Sequence, residues 1–280
     1  MSPFALAQTM EDHLIGDLIL RSSSDLSDAS SWYDSADNLS YTLTNAPTPP
    51  PPTVPLLADN PRIVLVQVAY GGATSEATTL AFVHEQKPHF ETPRVLHDAR
   101  DDTRSYLFLS RVPGRTLGDA WPTLDETWKH RYVEAVVKTC ETLAGWKGDV
   151  LGGVDGKSIP EQYLTQRGTV MDFRPEKLTE VCQLMGMDCS TFVFYHADLG
   201  PGNIIVEDVP KDGTIGIIDW EIAGYVPRGW IRTKFRLISG LDLPNPGAGE
   251  ETHWWRSEVQ KLLEKRGFED HSADWASWWY

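Results

Sequence analysis

The sequence predicts an α+β fold in two lobes, an abbreviated N-terminal one and a mainly helical C-terminal one that carries the functional site. Three observations predict it. A strand, helix, strand, strand pattern occupies residues 61–115, helical periodicity takes over from Asp125, and two short β-rich segments with polar tips interrupt the helical part at 191–208 and 214–227. The chain of 280 residues is long enough to bury a core in each lobe.

Residues 1–60 form the first segment. Leu14, Ile15, Leu18, Ile19 and Leu20 lie at a spacing that predicts a short amphipathic helix. Asp12, His13 and Asp17 interrupt the apolar run and no basic segment precedes it, so it does not read as a secretory signal. Residues 22–60 are rich in Ser, Asp, Thr and Pro, and APTPPPPTVP from Ala46 to Pro55 predicts a polyproline II strap.

The small lobe spans 61–115. RIVLVQVAY (Arg62 to Tyr70) is a β-branched run suited to a buried strand, ended by Gly71 and Gly72. Thr74 and Ser75 can cap a helix in which Leu80, Ala81 and Val83 recur at helical spacing. RVLHDA and RSYLFLSRV then read as two strands joined by the charged turn Arg100 to Thr103.

The helical lobe spans 116–280. From Asp125 to Trp146 the apolar residues Tyr132, Val136 and Leu143 share one helix face with Trp128. The tail from Thr252 carries five of the eleven tryptophans, whose large side chains predict a helix pair packed onto the lobe.

Forty acidic against twenty-five basic residues give a formal charge of −15, which repels nucleic acid and anionic membranes and argues against a polyanion-binding role outside a local basic pocket. Three cysteines without a CxxC pair predict free thiols and no disulfide framework. No stretch approaches the length a membrane span requires, so a soluble, cytoplasmic protein is expected. HEQKPH, His84 to His89, lacks the zinc-binding HExxH spacing, and DGKS, Asp155 to Ser158, lacks the first glycine of a phosphate loop.

FYHADLGPGN, residues 194–203, concentrates His196, Asp198 and Asn203 on a glycine-interrupted loop between two apolar strands. Sixteen residues later the strand IGIID ends in Asp219, an acid that is costly there without a cation or several donors. Asn203 and Asp219 offer the hard oxygen ligands that magnesium uses together with substrate phosphates. Asp198 is left to orient or deprotonate a substrate hydroxyl, with His196 fixing the loop. One acid for the nucleophile and an Asn/Asp pair for metal is the division of labour of kinase-type phosphoryl transfer.

HADLGPGN followed by IIDWEIAGYVP resembles the catalytic loop and metal segment of the aminoglycoside phosphotransferase and choline kinase-like family, especially its fungal branch. LFLSRVPGRTLGDAWPTL and GWIRTKFR resemble neighbouring segments of that branch, and the similarity runs from about Val64 to the end. The resemblance implies a protein-kinase-like fold, ATP and magnesium as cofactors, and a small-molecule alcohol as acceptor. It makes Asp198 the catalytic base, His196 the support of the loop, and Asn203 and Asp219 the metal ligands. Glu76 takes the place of the helix glutamate that organises the nucleotide site.

The small lobe departs from that pattern. Gln67 stands where a strand lysine is expected to reach the phosphates, and it brings hydrogen bonds but no charge. No glycine lies between Gly16 and Gly71, where a phosphate-covering loop belongs. The expected function is therefore an ATP- and magnesium-dependent phosphotransferase. The alternative is a pseudokinase, or a cleft recruited to another reaction in secondary metabolism.

Overall fold

The computed structural model describes residues 72–100, 105–237, 239–246, 249 and 251–280, and upstream of them the β-strands at 5–7, 12–15, 18–23, 31–34, 39–45 and 63–68. The polyproline segment Ala46–Pro55 lies outside the described residues. The chain divides into two compact units, Met1–Ala69 with Arg94–Arg111, and Tyr70–Pro93 with Val112–Tyr280.

The first unit is antiparallel β. Strands β1 (Ala5–Ala7), β2 (Asp12–Ile15), β3 (Leu18–Ser23), β4 (Ser31–Asp34) and β5 (Leu39–Asn45) form a sheet of order β1-β2-β3-β5-β4. β6 (Ile63–Val68), β7 (Val95–Arg100) and β8 (Ser105–Ser110) form a second, with β8 central and Gln67 opposite Tyr106. These three strands match those read from the sequence.

The helix expected around Leu14–Leu20 is corrected to the strands β2 and β3, in register from Ile15↔Leu18 to Asp12↔Arg21. Between the paired Ile15 and Leu18 stand Gly16 and Asp17, a dipeptide that two-residue hairpins favour, and the flanking leucines and isoleucines suit strand as well as helix.

The second unit holds the helices. α1 (Glu76–Glu85), which the sequence reading grouped with residues 61–115, belongs here. Ser75 caps it by accepting from the Thr78 N–H at 3.2 Å, and Leu80 and Val83 are buried. Its entry is anchored to DGKS: Thr74 Oγ1 donates to Asp155 at 2.5 Å and Thr74 N donates to Ser158 O at 3.0 Å. The approach leaves no room for a side chain at Gly153, where a Cβ would lie 1.6 Å from Thr74 Oγ1. The segment that looks like a phosphate loop is thus a clamp on α1.

After β9 (Arg115–Thr116) come α2 (Leu117–Ala120) and α3 (Glu126–Ala144). Asp125 caps α3, accepting from the Trp128 N–H at 2.9 Å, and Tyr132, Val136, Cys140 and Leu143 are fully buried along one stripe. Beyond β10 (Lys147–Gly148) lie α4 (Pro175–Leu184), β11 (Phe192–His196), β12 (Ile204–Val206), β13 (Ile215–Ile217) and β14 (Ala223–Val226). They make two three-stranded sheets, β10-β11-β14 and β13-β12-β9.

α5 (Arg228–Leu237), α6 (Trp254–Lys265) and α7 (Ser272–Trp279) complete the unit. α6 packs on α3 and α5, and α7 packs on α5. The tail tryptophans serve this docking as the sequence suggested. Trp255 is fully buried with its indole N–H on Leu241 O at 2.6 Å, and the Trp275 indole donates to Tyr163 O at 2.8 Å. Lys234 of α5 is buried with Glu161, its Nζ lying 2.7 and 2.5 Å from the two carboxylate oxygens. The Trp230 indole also donates to Glu161 at 3.3 Å, so the buried charges are paired and hydrogen-bonded. All three cysteines are free, and no helix among the described residues is long and apolar enough to cross a membrane.

Candidate active site

The site lies where the two small sheets of the second unit meet the connectors that leave them. β11 delivers His196 and leads into the loop 197–203, while β12 takes the chain away from Asn203. β13 delivers Asp219, and β14 follows the single 3-10 turn Trp220–Ile222. β11 pairs antiparallel with β14 (His196↔Ala223) and β12 with β13 (Ile204↔Ile217). Each sheet therefore takes one strand that flanks the 197–203 loop and one that flanks Asp219.

Backbone bonds carry the pairing into the connectors. Ile218 N donates to Asn203 O at 3.0 Å and Ala197 N donates to Ile222 O at 3.3 Å. The loop closes on itself through Gly200 N to Asp198 O at 2.8 Å and Asn203 N to Gly200 O at 3.0 Å. The Asn203 amide nitrogen donates to both Asp198 O and Asp198 Oδ2 at 2.9 Å, fixing the carboxylate from one side. That orientation leaves the amide oxygen of Asn203 as its lone-pair donor.

His196 is fully buried, with Nε2 3.0 Å from Ile218 O and its ring edge-on to Trp220 at 4.8 Å. Burial holds its pKa below the ordinary value, against the opposing pull of Asp198 and Asp219. A neutral imidazole that donates from Nε2 fits this position, and it ties the 197–203 loop to the segment that carries Asp219. Nδ1 is buried with no hydrogen-bond partner among the described residues.

Asp219 has a left-handed backbone, φ 65° and ψ 63°. Its carboxyl is pushed above the usual range by burial, with Asp198 adding to the rise while His196 and a hydrogen bond from Asn203 oppose it. Glu221 behaves likewise: burial raises it first, then Asp219 and Asp198. The sequence reading passed over Glu221, although its place two residues after Asp219 was a usable signal. Asp198 thus raises both Asp219 and Glu221, and Asp219 raises Glu221, so a cation beside these carboxylates would lower the energy. Asn203 and Asp219 supply one amide and one carboxylate oxygen, a small set of the kind magnesium accepts while keeping waters and phosphate oxygens. Among the described residues no group of three or more His, Cys, Asp or Glu side chains forms a metal cage.

Glu76 joins the site by a route the sequence did not show. Its Oε1 accepts from the Trp220 N–H at 3.0 Å, and its Oε2 is buried without a hydrogen-bond partner among the described residues. Burial, with Asp219 and Glu221 as lesser contributors and the Trp220 N–H opposing, pushes its pKa to about 7. Trp220 stacks with Phe90 at 6.1 Å and with Phe194 at 6.3 Å, and donates its indole N–H to Ile217 O at 3.0 Å. The structure thus brings together His196, Asp198, Asn203, Asp219 and Glu76 in one unit. Gln67 stands on β6 of the other unit, and its side chain is outside the described part.

No curated protein sequence matches the chain. Solved structures similar to it include the aminoglycoside phosphotransferase APH(3'')-Id from Streptomyces rimosus in complex with ADP and streptomycin, at 15% identity and TM-score 0.47, covering 79% of this chain and 89% of that one. An aminoglycoside-3'-phosphotransferase of type VIII aligns at 17% identity and TM-score 0.42, over 76% and 83% of the two chains. A streptomycin–ATP complex of APH(2'')-IIa aligns at 13% identity and TM-score 0.44, over 77% and 75%. The model of the phosphotransferase enzyme family matches residues 59–230, more than half of the chain. The chain belongs to the phosphotransferase enzyme family.

Proposed function

We propose that the chain is an ATP- and magnesium-dependent phosphotransferase acting on a hydroxyl of a small molecule. The observation that supports it best is the Asp198–Asn203–Asp219 cluster: one carboxylate fixed by the asparagine amide, a second carboxylate at the end of an adjoining strand, and a buried histidine bonding the two segments together. These roles follow from the chemistry of each group.

Asp198 has one carboxylate oxygen on Asn203 and the other free to accept the proton of an acceptor hydroxyl. The acceptor oxygen then attacks the γ-phosphorus, the bond to the bridging oxygen of ADP breaks, and the hydroxyl proton rests on Asp198. Asn203 and Asp219 would hold magnesium, which when bound offsets phosphate charge. His196 keeps the two segments in register and carries no proton in the step.

The competing reading is a protein that keeps the fold without phosphoryl transfer. The residue that favours it is Gln67, at a position where a lysine would bring charge to the phosphates. Calorimetric titration of ATP with and without magnesium separates the two. Binding that requires magnesium and is lost in Asp219→Ala supports the enzyme; no binding at several millimolar ATP supports the other reading.

A further inference from the structure

We infer that Glu76 is a positioning residue for Asp219, holding the left-handed turn at that aspartate through the Trp220 N–H. The inference deepens the phosphotransferase reading and rests on it only for the consequence in metal binding.

Among the described residues two non-glycines have a positive φ, Lys87 and Asp219. A left-handed aspartate persists where its surroundings over-determine it. The turn that follows, Trp220–Ile222, is too short to satisfy its own first amide, and Asp219 makes no side-chain cap bond to it. Glu76 takes that donor from 144 residues away in the chain, at a buried position. The Trp220 indole N–H is held by Ile217 O, its carbonyl by Ala223 N–H and its ring by Phe90, Phe194 and His196, so among the described residues the amide bond is the hydrogen bond that links the turn to α1.

The anchor is itself rigid. Glu76 is the first residue of α1, behind the Ser75 cap and the Thr74–Asp155 clamp. Burying a carboxyl with one oxygen unpartnered is unfavourable, and the Trp220 bond is the contact among the described residues that accounts for an acid here. Glutamate at position 76 thus acts on the metal-binding aspartate through one main-chain amide, a role that needs no lysine partner.

Hydrogen–deuterium exchange of the full-length protein reads the turn directly. Glu76→Ala is expected to speed exchange in a peptide covering residues 218–223 by about tenfold, as for loss of one buried hydrogen bond. Glu76→Gln, whose amide oxygen still accepts from Trp220 N–H, is expected to exchange as wild type. Unchanged exchange in Glu76→Ala, or equal acceleration in both variants, overturns the inference; Glu76→Met replaces the alanine variant if that one does not fold. Calorimetry with MgADP gives a second readout. Glu76→Ala is expected to weaken MgADP about tenfold, to leave metal-free ADP unaltered, and to add nothing in an Asp219→Ala background. A further loss in that background overturns the inference. If the wild-type protein binds no MgADP, the phosphotransferase reading falls, and the exchange experiment alone decides the role of Glu76.

Discussion

Replacing Glu76 with glutamine removes one titration from the interior, and its effect on stability follows from the structure. The carboxyl is 1% exposed and holds its proton up to about pH 7, whereas in an unfolded chain it loses it near 4.5. Below pH 4.5 both states carry the proton and the group contributes no pH dependence. Between these values the folded state binds more protons than the unfolded one, so stability falls as pH rises. Above about 7 the fall is complete. At about 1.4 kcal/mol for each pH unit between the two values, it amounts to about 3 kcal/mol. Glutamine keeps the acceptor for Trp220 N–H and does not titrate. Its unpaired amide lowers stability by the same amount at every pH. The stability of Glu76→Gln relative to wild type is therefore expected to rise by about 3 kcal/mol from pH 4.5 to 8. Urea unfolding followed by tryptophan fluorescence, in metal-free buffer at half-unit intervals, measures this difference. Parallel stability curves for the two proteins would refute the reasoning.

Three further outcomes are expected. Asp198→Asn keeps the melting temperature within a few degrees and lowers phosphoryl transfer, or the slow hydrolysis of ATP that stands in for it, by at least about a hundredfold. Asp219→Ala abolishes the difference between ATP affinities measured with and without magnesium, and a retained difference places the metal elsewhere. Lys234→Met leaves Glu161 buried without its cation and lowers unfolding free energy by about 3–5 kcal/mol, while adding Glu161→Leu restores much of the loss, as denaturant titration of both variants would show.

The C-terminal elements were legible because each rests on a local signal. Asp125 and Ser75 announce helix starts, the apolar stripe of Tyr132, Val136 and Leu143 repeats at helical spacing, and Gly200, Pro201 and Gly202 interrupt two apolar runs. The site was legible for the same reason, since His196, Asp198 and Asn203 lie within eight residues and Asp219 ends the next strand but one. One reading failed where the signal was not local. Leu14 to Leu20 satisfies helix and strand spacing alike, and the pairing that decides between them is made with other strands, β3 with β2 and β5. Glu76 could be aligned with a helix glutamate, but its partner is a main-chain amide far along the chain, and backbone donors have no letter in a sequence. Glu221 was visible but unranked, because its proximity to Asp198 arises from the nesting of the β12–β13 pair within the β11–β14 pair.

That nesting has a bearing on how the protein can diversify. Strand registers change in whole residues, and a slip of one would turn every side chain of β11 or β12 to the opposite face of its sheet. The spacing between the Asp198 loop and Asp219 is therefore quantised: it holds or it is lost, with no gradual drift between. Substitutions that respect the two pairings leave the reacting geometry as it was. In a phosphotransferase, variation in acceptor preference would have to be written outside these two pairings. The arrangement insulates the chemistry from the recognition, so that one can evolve while the other stays fixed.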